Sequence, residues 1–134
     1  MPPNASVATG TLVGLLSLNE QRFDFVLHTN GLTNITAAHF HDGPAGANGP
    51  IVKPIDIDLI TGVAVGSWTT TDPTNPLTPA LVQKLKQGLI YVNVHTTQLP
   101  GGEIRDQVRL TNVPICNNNI NGTNGTNGGY PVIY

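Results

Sequence analysis

Segments in which apolar and polar residues alternate run along most of the chain. In 21–29, for example, three apolar residues are separated by single, mostly polar ones, a pattern that predicts a half-buried β-strand. A hairpin turn is predicted at Asn19-Glu20, and Pro54 predicts an edge strand because it cannot donate a ladder hydrogen bond. Alternating or apolar, β-prone segments predict further strands over 7–18, 35–42, 51–58, 63–70, 89–96 and 103–110.

One segment has a helical pattern instead, with Leu and Val residues at helical spacing. Thr78 suits the N-cap, Pro79 the first helical position and Gly88 the position after the end. The sequence therefore predicts one short α-helix over 78–87 in an otherwise all-β chain. The expected fold is an antiparallel β-sandwich or flattened barrel, with Trp68 near its core.

Composition and charge narrow the possible functions. The 134 residues suffice for one domain with its own core, and only 10% are charged, which argues against a helical bundle or coiled coil. The net charge of −2 leaves no basic surface for a nucleic acid. No apolar run approaches the ~18 residues of a membrane span.

Four Asn-X-Ser/Thr sequons favour an extracellular glycoprotein, although a chain this rich in Asn and Thr contains some by chance. They lie at Asn4, Asn34, Asn121 and Asn124.

The end of the chain differs from the rest. The composition predicts a β domain over 1–115 and an Asn/Gly-rich flexible arm over 116–134. Cys116 is the single cysteine, so no internal disulfide can form. We expect the apolar end of the arm to add a strand to a sheet edge of its own domain or of another copy, which could build a filament. The residues concerned are Tyr130, Val132, Ile133 and Tyr134.

Three histidines are predicted to lie on the polar sides of two strands. His39 and His41 alternate with apolar residues in 35–42, as His95 does in 89–96. Histidines two residues apart on a strand have Cα atoms ~6.5–7 Å apart, so both can reach one ion. The third histidine would complete a three-histidine site such as those that hold zinc or copper.

Glu103 is expected near the histidines, either as a fourth ligand or as a carboxylate that fixes a histidine tautomer. Arg105 and Asn93, on polar strand faces, are expected beside the ligands. His28 is a weaker candidate for the same site. The alternative is that the histidines are exposed strand residues or contact the glycine-rich loop at 43–50.

Two motifs resemble signatures of the CHRD domain, the module named after chordin. The run AHFHDGPAGANGPIV at 38–52 resembles the first, and GLIYVNVHT at 88–96 followed by PGGEIR at 100–105 resembles the second. The resemblance covers roughly 7–111. Asp106 stands where the family usually has glycine, which makes the local strand geometry less certain than the family itself.

The resemblance implies an extracellular or cell-surface β module that acts as a structural, assembly or binding protein. Its partners would be other copies of itself or an extracellular protein, and the family motif contains the three histidines, Glu103 and Arg105. The metal would be copper or zinc. The alternative is a metalloenzyme, since a His-X-His strand before a glycine-rich loop is similar to copper–zinc superoxide dismutase. That enzyme's further histidines and disulfide are absent from this sequence, which favours a non-enzymatic role.

Overall fold

Two four-stranded antiparallel sheets make up the fold. The computed structural model describes residues 4–110, together with the backbone of 129–133. The first sheet has the order β5-β2-β1-β8 and the second sheet the order β4-β3-β6-β7. The predicted β-sandwich is confirmed, and the described residues form no closed barrel. The elements are β1 (Thr9–Ser17), β2 (Arg22–Asn30), β3 (Ile35–Asp42), β4 (Ile51–Ile55), β5 (Val63–Thr69), α1 (Pro79–Lys86), β6 (Ile90–Thr96), β7 (Ile104–Gln107) and β8 (Gly129–Ile133).

Helix α1 and the turn between β1 and β2 form where the sequence predicts them. The Thr78 side chain accepts a hydrogen bond from the Leu81 amide at 3.2 Å, which caps the first turn of α1. Gly88 follows the helix with a φ of 73°, a left-handed conformation that costs glycine little. In the β1–β2 turn, Glu20 donates its backbone N–H to the Ser17 carbonyl at 2.8 Å.

Several strands are shorter than predicted, and β4 and β7 show two of the differences. β4 ends at Ile55 rather than at 58, because the Ile57 amide bonds to the Ile55 carbonyl and turns the chain out of the sheet. It is an edge strand of the second sheet, as Pro54 predicts. β7 covers only 104–107, and Asp106 pairs with Val92 in regular register there.

Aromatic side chains from both sheets fill the core. Trp68 of β5 is fully buried and stacks on Phe40 of β3 with ring centroids 5.5 Å apart. Its indole N–H donates to the Asn75 carbonyl at 2.8 Å, so the buried polar atom is satisfied. The predicted core position of Trp68 is therefore confirmed. With Phe40 facing inward, its neighbours His39 and His41 face outward.

The C-terminal strand β8 forms an edge of the first sheet. Its backbone pairs antiparallel with β1, with Val13 opposite Ile133 and Ser17 opposite Gly129. This is the predicted strand addition on the chain's own sheet, while exchange between copies remains a prediction. Residues 111–128 and Tyr134, and with them Cys116, Asn121 and Asn124, lie outside the described residues.

Candidate metal centre

Strands β3 and β6 bring the three histidines onto the outer face of the second sheet. The antiparallel register places His39 opposite Asn93, His41 opposite Tyr91, and His95 opposite Ala37. The residues between them on each strand point into the core. The two-residue period of a strand therefore puts all three imidazoles on one side.

The three imidazoles are close enough to bind one ion. One ring nitrogen from each of His39, His41 and His95 lies within 4.8 Å of the other two. His39 Nδ1 is 3.1 Å from His95 Nε2. Around a tetrahedral ion with bonds of ~2.0–2.1 Å, ligand nitrogens are about 3.4 Å apart. Small side-chain movements would therefore bring the three nitrogens to ligand distances.

Backbone carbonyls fix the tautomers of two histidines. His41 Nδ1 lies 2.8 Å from the Gly49 carbonyl, and His95 Nδ1 lies 2.8 Å from the Pro100 carbonyl. A carbonyl oxygen only accepts, so each Nδ1 carries the hydrogen and donates it. The neutral ring then has its lone pair on Nε2, as in metal-binding histidines whose other nitrogen donates to a backbone carbonyl.

His41 has a buried nitrogen without a partner. The residue is 8% exposed, and its Nε2 makes no hydrogen bond. An unpaired buried polar atom costs roughly 1–3 kcal/mol. In the tautomer fixed by Gly49 this atom is an acceptor, so it needs a hydrogen-bond donor or a cation.

Burial and neighbouring charges lower the pKa of two of the histidines, His39 and His41. Burial lowers the pKa of His39, and the neighbouring charges of His95 and His41 lower it further. Burial also lowers the pKa of His41, against the hydrogen bond to the Gly49 carbonyl and the nearby Asn93 side chain, which raise it. Since a neutral imidazole is the ligand form, these shifts extend metal binding to lower pH.

The loop at 43–50 is held against the same face. Gly49 donates its N–H to the Tyr91 hydroxyl at 2.9 Å, and Gln107 donates to the Gly43 carbonyl at 3.0 Å. A Cβ on Gly49 would lie 1.7 Å from the Asp42 carbonyl oxygen, so only glycine fits. The loop thereby presents the Gly49 carbonyl to His41.

Arg105 acts on the site through Tyr91. The Tyr91 ring stacks on His41 with centroids 4.7 Å apart, and the guanidinium carbon of Arg105 is 3.4 Å from the Tyr91 centroid. Arg105 also donates to the Pro44 carbonyl at 2.9 Å. It thus joins the loop to the aromatic stack beside His41.

The sequence of the chain also matches a known protein family. A protein-family model described as the CHRD domain matches residues 1–108. The chain belongs to the CHRD family. No curated protein and no solved structure matches it. Within the described part of this CHRD domain, no helix is long and apolar enough to cross a membrane.

Glu103 lies outside the histidine group of the CHRD domain. Its carboxylate accepts hydrogen bonds from Ser6 Oγ and Thr96 Oγ1, each at 2.6 Å. These two bonds lower the pKa of Glu103. The Gly49 and Pro100 carbonyls, rather than this carboxylate, accept the Nδ1 hydrogens. Sequence reasoning could not find them because every residue carries a carbonyl.

The remaining candidates are spread over the surface. His28 lies on β2 of the first sheet and is exposed, so it does not join the three histidines. Asn4 and Asn34 are exposed, although the Asn4 side chain donates to the Glu103 carbonyl at 3.1 Å.

Proposed function

We propose that this CHRD domain is an extracellular module that binds one copper or zinc ion through His39, His41 and His95. The observation that carries the proposal is the unpaired, buried Nε2 of His41. It lies in a ring whose other nitrogen already donates to a carbonyl. A metal ion between the three imidazoles would satisfy this lone pair without any change in the tautomer of His41.

The donor set determines the class of ion. Three imidazole nitrogens form the group, and no carboxylate is among them. Imidazole suits zinc and copper, whereas calcium and magnesium prefer oxygen ligands. The expected selectivity is therefore for copper or zinc over the alkaline-earth ions.

The ion would have a structural part in the domain. It would connect β3 to β6 directly, and through Gly49 and Pro100 it would connect both strands to the loops at 43–50 and 97–103. Such a site would stabilise this outer face and the loops bonded to it. The module would then serve as a structural, assembly or binding protein.

Partners and location follow from the surface and the C-terminal strand. Exposed Asn34 and Asn4 would carry glycans in an extracellular protein. β8 pairs with β1 by backbone hydrogen bonds, and the same edge would accept β8 from another copy. The partners proposed are therefore other copies of the chain or an extracellular protein.

Metal content tests the proposal. The protein would be dialysed against zinc or copper and analysed for bound metal, with His41→Ala, His95→Ala and the control His28→Ala. We expect one ion per wild-type chain and per H28A chain, and at least about 100-fold weaker binding by H41A and H95A, beyond the 10–100-fold typical of a hydrogen-bonded neighbour. A metal-free wild-type protein, or equal losses in all three variants, would refute the site.

A further inference from the structure

We infer that the bound ion keeps one exchangeable ligand, such as water, and that the side-chain oxygen of Asn93 accepts a hydrogen bond from it. The inference rests on the proposed metal site and adds a ligand class to it: a small molecule that offers a lone pair to the ion and an O–H or N–H to Asn93.

Asn93 occupies the centre of the outer face of the second sheet. It lies opposite His39 on β3 and opposite Arg105 on β7. Tyr91 and His95 flank it along β6, two residues away on the same face. Directly opposed strand residues have Cβ atoms ~4.5–5.5 Å apart. The amide of Asn93 therefore lies at the base of the histidine group.

The oxygen of this amide has no donor. Asn93 is 3% exposed, and its Oδ1 makes no hydrogen bond. His41, its diagonal neighbour across the strands, has the other unpaired buried atom, Nε2. Both atoms are acceptors in the tautomer fixed by Gly49, so neither can satisfy the other. An ion that carries a water satisfies both, the metal at Nε2 and the water at Oδ1.

Ligand counting leaves room for this water. Three histidines fill three of the four positions of a tetrahedral ion, and three protein ligands with one water is the arrangement of open zinc sites. The nearby acidic candidate, Glu103, has both carboxylate oxygens hydrogen-bonded to Ser6 and Thr96. His39 and His95 are partly exposed, so solvent can reach the fourth position.

Azide binding to the cobalt-loaded protein tests the inference. Co²⁺ replaces the ion and reports ligand exchange through its visible spectrum. Azide displaces water but has no hydrogen to donate to Asn93. In Asn93→Ala the bound water loses its acceptor, so we expect azide to bind about 3- to 10-fold more tightly than in the wild type. The control Asn30→Ala, at an exposed position of the first sheet, should match the wild type. Asn93→Ser is a second variant should N93A fail to fold.

The possible outcomes distinguish the inference about the exchangeable ligand from the proposed metal site. Cobalt binding without any azide-dependent spectral change refutes the exchangeable ligand and leaves the metal site intact. Equal azide affinity in wild type and both Asn93 variants refutes the hydrogen bond. Tenfold tighter cobalt binding by N93A would mean that the amide N–H of Asn93 occupies His41 Nε2, which also overturns the inference. Failure of the wild type to bind cobalt, zinc or copper refutes the proposed function itself.

Discussion

In a simple β-sandwich the outward-facing side chains are polar and exposed to solvent. The outer faces of the two sheets depart from this pattern in opposite ways. On the first sheet, the outward side chains of Val65, Val26 and Val13 form a row across β5, β2 and β1. Val65 is 73% exposed. The first sheet therefore leaves apolar groups in water.

On the second sheet, the outer face buries polar groups. His41, Asn93 and Gln107 are all buried, and the loop at 43–50 bonds to this face through Gly49 and Gly43. Burial of polar groups costs free energy unless each is paired. The first sheet shows that the fold does not require such groups on an outer face. On the second sheet Gln107 is paired with loop carbonyls, and the proposed metal site would supply partners for His41 Nε2 and Asn93 Oδ1, which have none.

The largest effect on stability should come from Gly49→Ala. The added Cβ has no space beside the Asp42 carbonyl, so the loop must move away from His41. We expect a loss of about 3 kcal/mol in the free energy of unfolding and 10–100-fold weaker zinc binding, measured by urea unfolding and by zinc titration. The control is Gly101→Ala, where nothing lies within 4 Å of the new Cβ. Equal stability and zinc affinity in the two variants would contradict the role of the loop.

The sequence predicts the histidine group because that group depends on regular structure. Strand period and antiparallel pairing place His39, His41 and His95 together without reference to any loop. The contacts of Glu103 could not be predicted. Its carboxylate bonds to Ser6, 97 residues away, in a segment without strand or helix pattern. Regular elements follow from local sequence, whereas the partners of a side chain at a strand end depend on chain packing.

Single substitutions on the two outer faces should change the free energy of unfolding by different, smaller amounts. Gln107 donates to the carbonyls of Gly43 and Gly88 at 3.0 and 2.8 Å, so Gln107→Ala leaves two acceptors unpaired. We expect it to cost about 1–3 kcal/mol in the free energy of unfolding. Val65→Thr, on the exposed row of the first sheet, should change it by less than about 0.5 kcal/mol. Urea unfolding of both variants measures the difference. Equal losses of stability would contradict the proposed difference between the two faces.

The smallest predicted effect is a pH dependence of the free energy of unfolding, caused by His39 and His41 on the second sheet. Burial holds the pKa of His39 and His41 below 6.5 in the folded chain. The unfolded chain therefore binds more protons just below pH 6.5, and the free energy of unfolding falls as the pH drops through that region. Urea unfolding in chelator between pH 7.5 and 5 should show the fall in the wild type and in His28→Gln.

The double variant His39→Gln/His41→Gln should show a flatter profile over the same range. Asp72 and Glu103 also have a lowered pKa, but their stabilising effect is present above their ordinary pKa values. It is lost only as the pH falls below about 4.5, outside the measured range. An equally steep fall in the double variant would assign the pH dependence to other groups.

Long-range ¹H–¹⁵N NMR of the histidine rings with one equivalent of zinc tests the central claim most directly. We expect His41 and His95 to keep the hydrogen on Nδ1 and to show a metal-shifted Nε2, while the His28 ring stays unchanged. Ligation of either ring through Nδ1, or rings of His41 and His95 that do not respond to zinc, would contradict the account.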